Sequence, residues 1–274
     1  VRINLRKNKL KAIYLKCYDR SWIFIYSFVT AIRIADLKNM TKGVLYLIPV
    51  PLAENVAAKS FTPYLLDTIN ALDTYIVENE KTARKFLKEA GLTRPQSELT
   101  VHDYGKHKRA DSMVPYFKEL MSGKDVGLMS EAGCPGVADP GAEVVFEAHK
   151  RGIKVVPLVG PSSLLLALMA SGFNGQSFTF HGYLPIDKAE RVKRIKELEQ
   201  LAEKNKQTQL FIETPFRNNH LFDDIIKNTA AQTLLCVASN ITTPDEFIKT
   251  MTIGQWKQER IDLHKKPTIF LLYR

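Results

Sequence analysis

The chain has 274 residues, 45% hydrophobic and 25% charged, the composition of a soluble globular protein with room for one large domain or two ordinary ones. Of its formal charge of +10, residues 1–39 carry +7 (nine basic groups against Asp19 and Asp36), so residues 40–274 keep only +3 and composition alone makes no case for nucleic acid there. Three cysteines, Cys17, Cys134 and Cys236, form no CxxC pair, which excludes a disulfide framework or a zinc cluster and fits the reducing cytosol.

Residues 1–39 are rich in Lys, Asn, Ile and Tyr and contain neither Gly nor Pro. The apolar run Trp22 to Ile32 is far shorter than the roughly 20 residues that span a bilayer, and no small-residue cleavage site follows it. The expectation is that Met40 starts the body and that residues 1–39 are an upstream extension, a membrane anchor being the alternative. Val44-Leu45-Tyr46-Leu47-Ile48 then reads as a strand of a parallel sheet, buried on both faces, that Pro49-Val50-Pro51 ends. Ser60 to Leu72 has helical spacing, Thr74 to Val77 is a second strand, and a short helix closes at Gly91. Leu99 to Val101 leads into His102-Asp103-Tyr104, and Asp111 to Met121 is a helix stopped by Gly123.

Val126 to Met129 is the next strand, and Ala142 to Lys150 the next helix. Between them runs Ser130-Glu131-Ala132-Gly133-Cys134-Pro135-Gly136-Val137-Ala138-Asp139-Pro140-Gly141, three glycines and two prolines in twelve positions. Glycines let backbone approach a ligand, and loops at the carboxyl ends of parallel strands are where ligands bind. A plain strand-to-helix turn is the alternative reading. Ile153 to Pro157 is a strand that runs through Gly160-Pro161-Ser162-Ser163 into Leu164 to Ala170, a helix apolar on all sides and so expected to be buried. Ser162 suits its N-cap and Gly172 its stop.

The alternation repeats. Ser177 to Phe180 is a strand followed by the loop His181 to Pro185, Asp187 and Glu190 open a charged helix to about Asn205, and Thr208 to Ile212 is a strand ending at Glu213-Thr214-Pro215. Asn218 to Lys227 is a helix, and Thr233 to Ala238, Phe247 to Ile253 and Pro267 to Tyr273 are strands that close the sheet. The fold class is therefore α/β, in two α/β domains divided near Gly160: residues 40–160 and 161–274. Walker, GxGxxG, H-E-x-x-H and G-x-S-x-G patterns are all absent from the sequence, which removes the usual signals for phosphate cradling, zinc hydrolysis and serine hydrolysis.

Five loops match one family in order. Ser130 to Gly141 resembles the Ser-Asp-Ala-Gly-Thr-Pro…Asp-Pro-Gly loop of the ribosomal RNA small subunit methyltransferase I family, with Glu131 and Cys134 in place of Asp and Thr. Val44 to Pro51 resembles that family's opening strand, Gly160 to Ser163 its Gly-Pro-(Cys/Ser)-Ala, Phe180 to Pro185 its Phe-x-Gly-Phe-Leu-Pro, and Glu213 to Arg217 its Glu-(Ser/Thr)-Pro-His-Arg. The resemblance spans about residues 43–274. It implies the tetrapyrrole-methylase type of fold, a homodimer, and S-adenosylmethionine (SAM) in a cleft between the domains.

On that resemblance, Pro49, Gly133, Cys134 and Val137 would line one side of the cofactor and Ser162 and Ser163 another. Gly182, Tyr183 and Leu184 would give backbone contacts, and Thr214 and Pro215 the last wall. For Ser162 a mere helix cap is the competing reading. Methylating a ribose 2′-hydroxyl needs a group to take the proton. Glu213 ranks first and Glu80 second, ahead of His102, Asp103 and Glu246. Lys81, Arg84, Lys106, Lys108 and Arg109 are candidates for phosphate contacts, although Lys106 to Arg109 also suits a solvated loop. No metal is expected. The sequence departs from the family pattern at Leu52 to Asn55, at Glu78 to Arg84 and at Ser239 to Glu246. Those departures keep two rivals open: a tetrapyrrole or other small acceptor, and a SAM- or RNA-binding relative without activity.

Overall fold

The computed structural model describes residues 41–56, 60–104 and 114–274. Five short strands, β1 (Val44–Leu47), β2 (Thr74–Val77), β3 (Thr100–Asp103), β4 (Val126–Met129) and β5 (Lys154–Pro157), form an all-parallel sheet in the order β3-β2-β4-β1-β5, apolar in its inner strands. The helices between them are α1 (Pro63–Ala71), α2 (Glu80–Glu89), α3 (Val114–Met121) and α4 (Ala142–Lys150). Thr62 caps α1 by accepting from the Leu65 N–H, with Pro63 in the first turn where its missing N–H costs nothing.

The order places the departures from β1 and β4 side by side but in opposite directions. Right-handed crossovers then put α1 and α2 on one face and α3 and α4 on the other. The cores agree with that arrangement. Ile48, Tyr75, Val77 and Met129 pack with Leu65, Ile69, Phe86 and Leu87 on one side. Leu45, Ile76, Val126 and Leu128 pack with Phe117, Leu120, Val144 and Ala148 on the other. Continuous apolar strands are what a sheet covered on both faces requires.

After α5 (Ser163–Ser171) comes a second, mixed sheet: β6 (Phe178–Tyr183), β7 (Thr208–Ile212), β8 (Leu234–Ser239), β9 (Phe247–Thr252) and β10 (Thr268–Tyr273), in the order β6-β7-β10-β8-β9. β10 inserts between β7 and β8, antiparallel to both. The loop expected at His181 to Pro185 is in part strand, since β6 continues through an irregularity between Phe180 and Tyr183 where Gly182 takes a φ of 64°. Helices α6 (Lys188–Asn205), α7 (Asn218–Asn228) and α8 (Ile253–Trp256) cover one face. The short α8 was not anticipated. Thr252 and Gln255 close a reciprocal capping box on it, and Trp256 is buried with its indole N–H on the Leu235 carbonyl at 2.9 Å.

The other face of this sheet is covered by α5, whose Leu164, Ala167 and Leu168 pack on Leu210, Cys236, Ala238 and Leu271. The expectation of a helix buried all round does not hold. Leu165 and Met169, one turn apart, are 51% and 78% exposed. Among the described residues no helix is long and apolar enough to cross a membrane. Residues 1–39, on which the extension and anchor readings bear, lie outside the described residues.

Candidate active site

β1 and β4 are neighbours, so the chain segments leaving them meet. Val50 and Gly133 exchange both backbone hydrogen bonds at 2.8 Å, an antiparallel bridge that ties the exit of β1 to the loop after β4. The segment after β5 closes on the same place. A Cβ on Gly160 would lie 2.3 Å from Pro49 Cβ, so only glycine allows this approach. The Cys134 thiol donates to the Pro161 carbonyl at 3.4 Å and joins the β4 loop to the entry of α5. Burial pushes that thiol up from its ordinary range.

These loops and the facing ends of β7, β8 and β10 enclose a cavity of about 530 Å³. Gly133, Cys134, Val137, Ser162, Ser163, Tyr183, Glu213 and Pro215, all singled out in the sequence, line it together. Ser162 occupies the N-cap of α5, yet its side chain makes no capping hydrogen bond, so the hydroxyl is not committed to the helix. Its neighbour Ser163 begins the helix, whose first turn forms part of the wall. The β4 loop has backbone in the left-handed region at Gly133, Gly136, Ala138 and Gly141. Ala138, at φ 62°, has no glycine's freedom and stores strain immediately before Asp139, which also lines the cavity.

Other predicted residues do not reach the wall. Pro49 is buried against Gly160. Leu184 is buried in the core of the second sheet, Gly182 lies in the β6 irregularity, and Thr214 is absent from the lining. Glu80, Lys81 and Arg84 sit on α2, after β2, a strand further out than β4 and β1. There Arg84 is ion-paired to Glu80 at 2.8 Å and bonded to the Gln96 carbonyl. His102 and Asp103 belong to β3, the edge strand, where strand order keeps them away from the cavity. Burial lowers the His102 pKa, and its ring lies 5.0 Å from Tyr116. Glu246 accepts from the Thr242 N–H at 2.7 Å and pins its own loop. Lys106, Lys108 and Arg109 lie outside the described residues.

Glu213 is nearly inaccessible, and its Oε1 accepts from the Thr214 N–H and from Arg217 Nη2, each at 2.6 Å. Asp139 differs. Burial raises its carboxyl pKa, the Ser130 hydroxyl offsets part of that, and Glu131 adds to it. Sequence reasoning missed Asp139, Asn240, Ile241 and Thr243 as cavity residues. The last three follow β8, in a loop with Asn240 and Thr242 at φ 50° and 75°. Their one sequence signal was the departure from the family pattern at 239–246.

The enclosure suits SAM. Its volume falls in the range of small-molecule sites, with apolar walls for a ring, backbone held open by glycine, and a half-buried carboxylate that a cation would stabilise. Among the described residues no cluster of His, Cys, Asp and Glu can hold a metal ion.

Comparison with known proteins gives a consistent result. A profile of the tetrapyrrole (corrin/porphyrin) methylases matches residues 50–257. The chain is 29% identical to the ribosomal RNA small subunit methyltransferase I of Vibrio cholerae over 242 residues, 86% of this chain and 80% of that one. It is 30% identical to the protein of that name from Pasteurella multocida over 81% and 76% of the two chains. With the one from Bacillus subtilis it shares 33% identity over 64% and 56%. Among solved structures, the methyltransferase CobJ superposes with a TM-score of 0.57 over 85% of this chain and 95% of its own, at 17% identity, a likeness of fold.

Proposed function

The chain belongs to the tetrapyrrole methylase family, in its ribosomal RNA small subunit methyltransferase I branch, and from that membership we propose that it methylates a ribose 2′-hydroxyl of small-subunit ribosomal RNA. It is a SAM-dependent methyltransferase. When bound, SAM supplies an electrophilic methyl group on a sulfonium centre. Everything else is the work of this chain's residues.

The observation that carries the reading is the cavity shared by the two sheets, because eight of the residues marked by the matched motifs converge on it. We assign its apolar wall and the Ser162–Ser163 turn to the cofactor. Asp139, whose burial the Ser130 hydroxyl offsets only in part, is assigned to the ammonium group of the cofactor's amino acid end. Glu213 is placed beside the acceptor hydroxyl, where Arg217 and the Thr214 N–H fix the carboxylate so that it stays in place for proton transfer. The two sheets are read as two domains, residues 40–160 and 161–274. A homodimer completes the proposal, with the exposed Leu165–Met169 face of α5 as its interface.

The test uses methyl-labelled SAM and small ribosomal subunits from a strain lacking this gene. Label in ribosomal RNA, mapped to one ribose, is the expected result. Intact SAM binding with no label on RNA would remove the RNA acceptor and leave a small-molecule acceptor to be sought.

A further inference from the structure

Phe216 stands at the rim of the cavity and is 65% exposed, a large apolar side chain left in solvent. It follows Pro215, which lines the cavity, in the turn between β7 and α7. A second turn, residues 264–266, is clipped to it. The Lys265 N–H donates to the Pro215 carbonyl at 3.0 Å, and the buried Asn218 amide donates to the Lys266 carbonyl at 2.7 Å. This holds Lys265 in the left-handed region at φ 59°, a conformation a lysine rarely adopts unassisted. Beyond Lys266, Pro267 and Thr268 return to the cavity wall.

The result is a built platform. His264 meets the Phe216 ring edge-on at 5.8 Å between centroids, and Lys265 Nζ lies 5.9 Å from the ring centre. His264, Lys265 and Lys266 are exposed; Lys266 Nζ donates to the Asp262 carbonyl at 2.9 Å and its charge acts on the Asp262 carboxylate, whereas no carboxylate of the described residues forms an ion pair with Lys265. An exposed ring with the Lys265 cation over it has the chemistry of single-strand recognition: a base stacks on the ring and its phosphate meets Lys265.

Resting on the RNA reading above, we propose that Phe216, His264 and Lys265 form a stacking platform for an unpaired nucleobase of the acceptor RNA, which brings a neighbouring ribose to the cavity mouth. A second copy of the chain is the competing occupant, and the experiment separates the two.

The test measures binding of small ribosomal subunits by the full-length protein at several salt concentrations, with SAM affinity and sedimentation followed in parallel. Phe216→Ala should weaken RNA binding about tenfold or more with an unchanged salt slope, and Phe216→Trp should restore it. Lys265→Gln should flatten the slope of log K against log salt by about 1. SAM affinity should not change in any of the three. Wild-type RNA affinity in Phe216→Ala would overturn the platform, as would loss of a wild-type dimer in that variant. Wild-type protein that neither holds nor methylates the subunit would sink the RNA reading itself. Methylation and binding by wild type and Phe216→Ala alike would sink only the platform.

Discussion

Asp139 and Glu213 line the same cavity under unlike circumstances. Glu213 has an arginine and a backbone N–H on one oxygen, whereas burial works against the charge of Asp139 with only Ser130 to offset it. A carboxyl whose pKa is higher folded than unfolded favours the fold at low pH, and that contribution is lost as pH rises through the raised value. At neutral pH Asp139→Asn should therefore raise the melting temperature of the ligand-free protein while weakening SAM about tenfold, through loss of a charge-assisted contact. Wild-type affinity should likewise fall on acidification, beginning at a higher pH than an ordinary aspartate would allow. Calorimetry beside thermal melts checks both, and equal SAM affinity in the two proteins would free Asp139 of the role. Glu213→Gln tests the other carboxylate. SAM affinity should stay within about threefold while transfer slows by about 100-fold, the usual scale of a lost general base. An unaltered rate would leave Glu213 with only its structural ion pair.

At the scale of elements, α5 joins two roles, since its first turn lines the cavity and its outer face is bare. A Leu and a Met one turn apart, with Val159 just upstream also 75% exposed, make an apolar surface of the kind that marks an interface. Met169→Glu should raise the dimer dissociation constant at least tenfold without loss of helix signal, as read by sedimentation and far-ultraviolet dichroism. A wild-type monomer would end the dimer proposal, and an undisturbed dimer would move the interface elsewhere. This helix also marks the limit of what was legible in the sequence. Its ends were clear from Ser162 and Gly172, and its apolar content was clear too. Which of its faces meets a sheet depends on long-range packing that no local pattern encodes. The same holds for β10. Thr268 to Tyr273 reads as a strand anywhere, but its insertion between β7 and β8 is a fact of pairing, and that pairing delivers Pro267, Thr268 and Ile269 to the cavity. The glycine-rich loop around Gly133 and the start of α5 were legible because glycines and helix starts leave local marks. That Glu80 and Arg84 lie beyond the cavity lining follows from strand order, which leaves no local mark.

For the whole molecule, the position of the cavity has an energetic consequence. Neither sheet encloses it alone: the parallel sheet supplies the loops after β1 and β4, and the mixed sheet supplies α5 and the ends of β7, β8 and β10. A ligand held there stabilises both at once, so SAM should raise one melting transition rather than split it. At about 100 times its dissociation constant a ligand adds about 2.7 kcal/mol, which in a chain of this size corresponds to about 5–10 °C. Ser163→Trp places an indole at the first residue of α5, within the wall, where it fills space without crossing a packed core. The variant should melt within about 2 °C of the ligand-free wild type and show no shift with SAM, since loss of the site leaves both sheets intact. A preserved shift would take the Ser162–Ser163 turn out of the cofactor site. Two wild-type transitions, only one of them moved by SAM, would mean that a single sheet carries the binding, and the assignment of the cofactor to the shared cavity would fall with it.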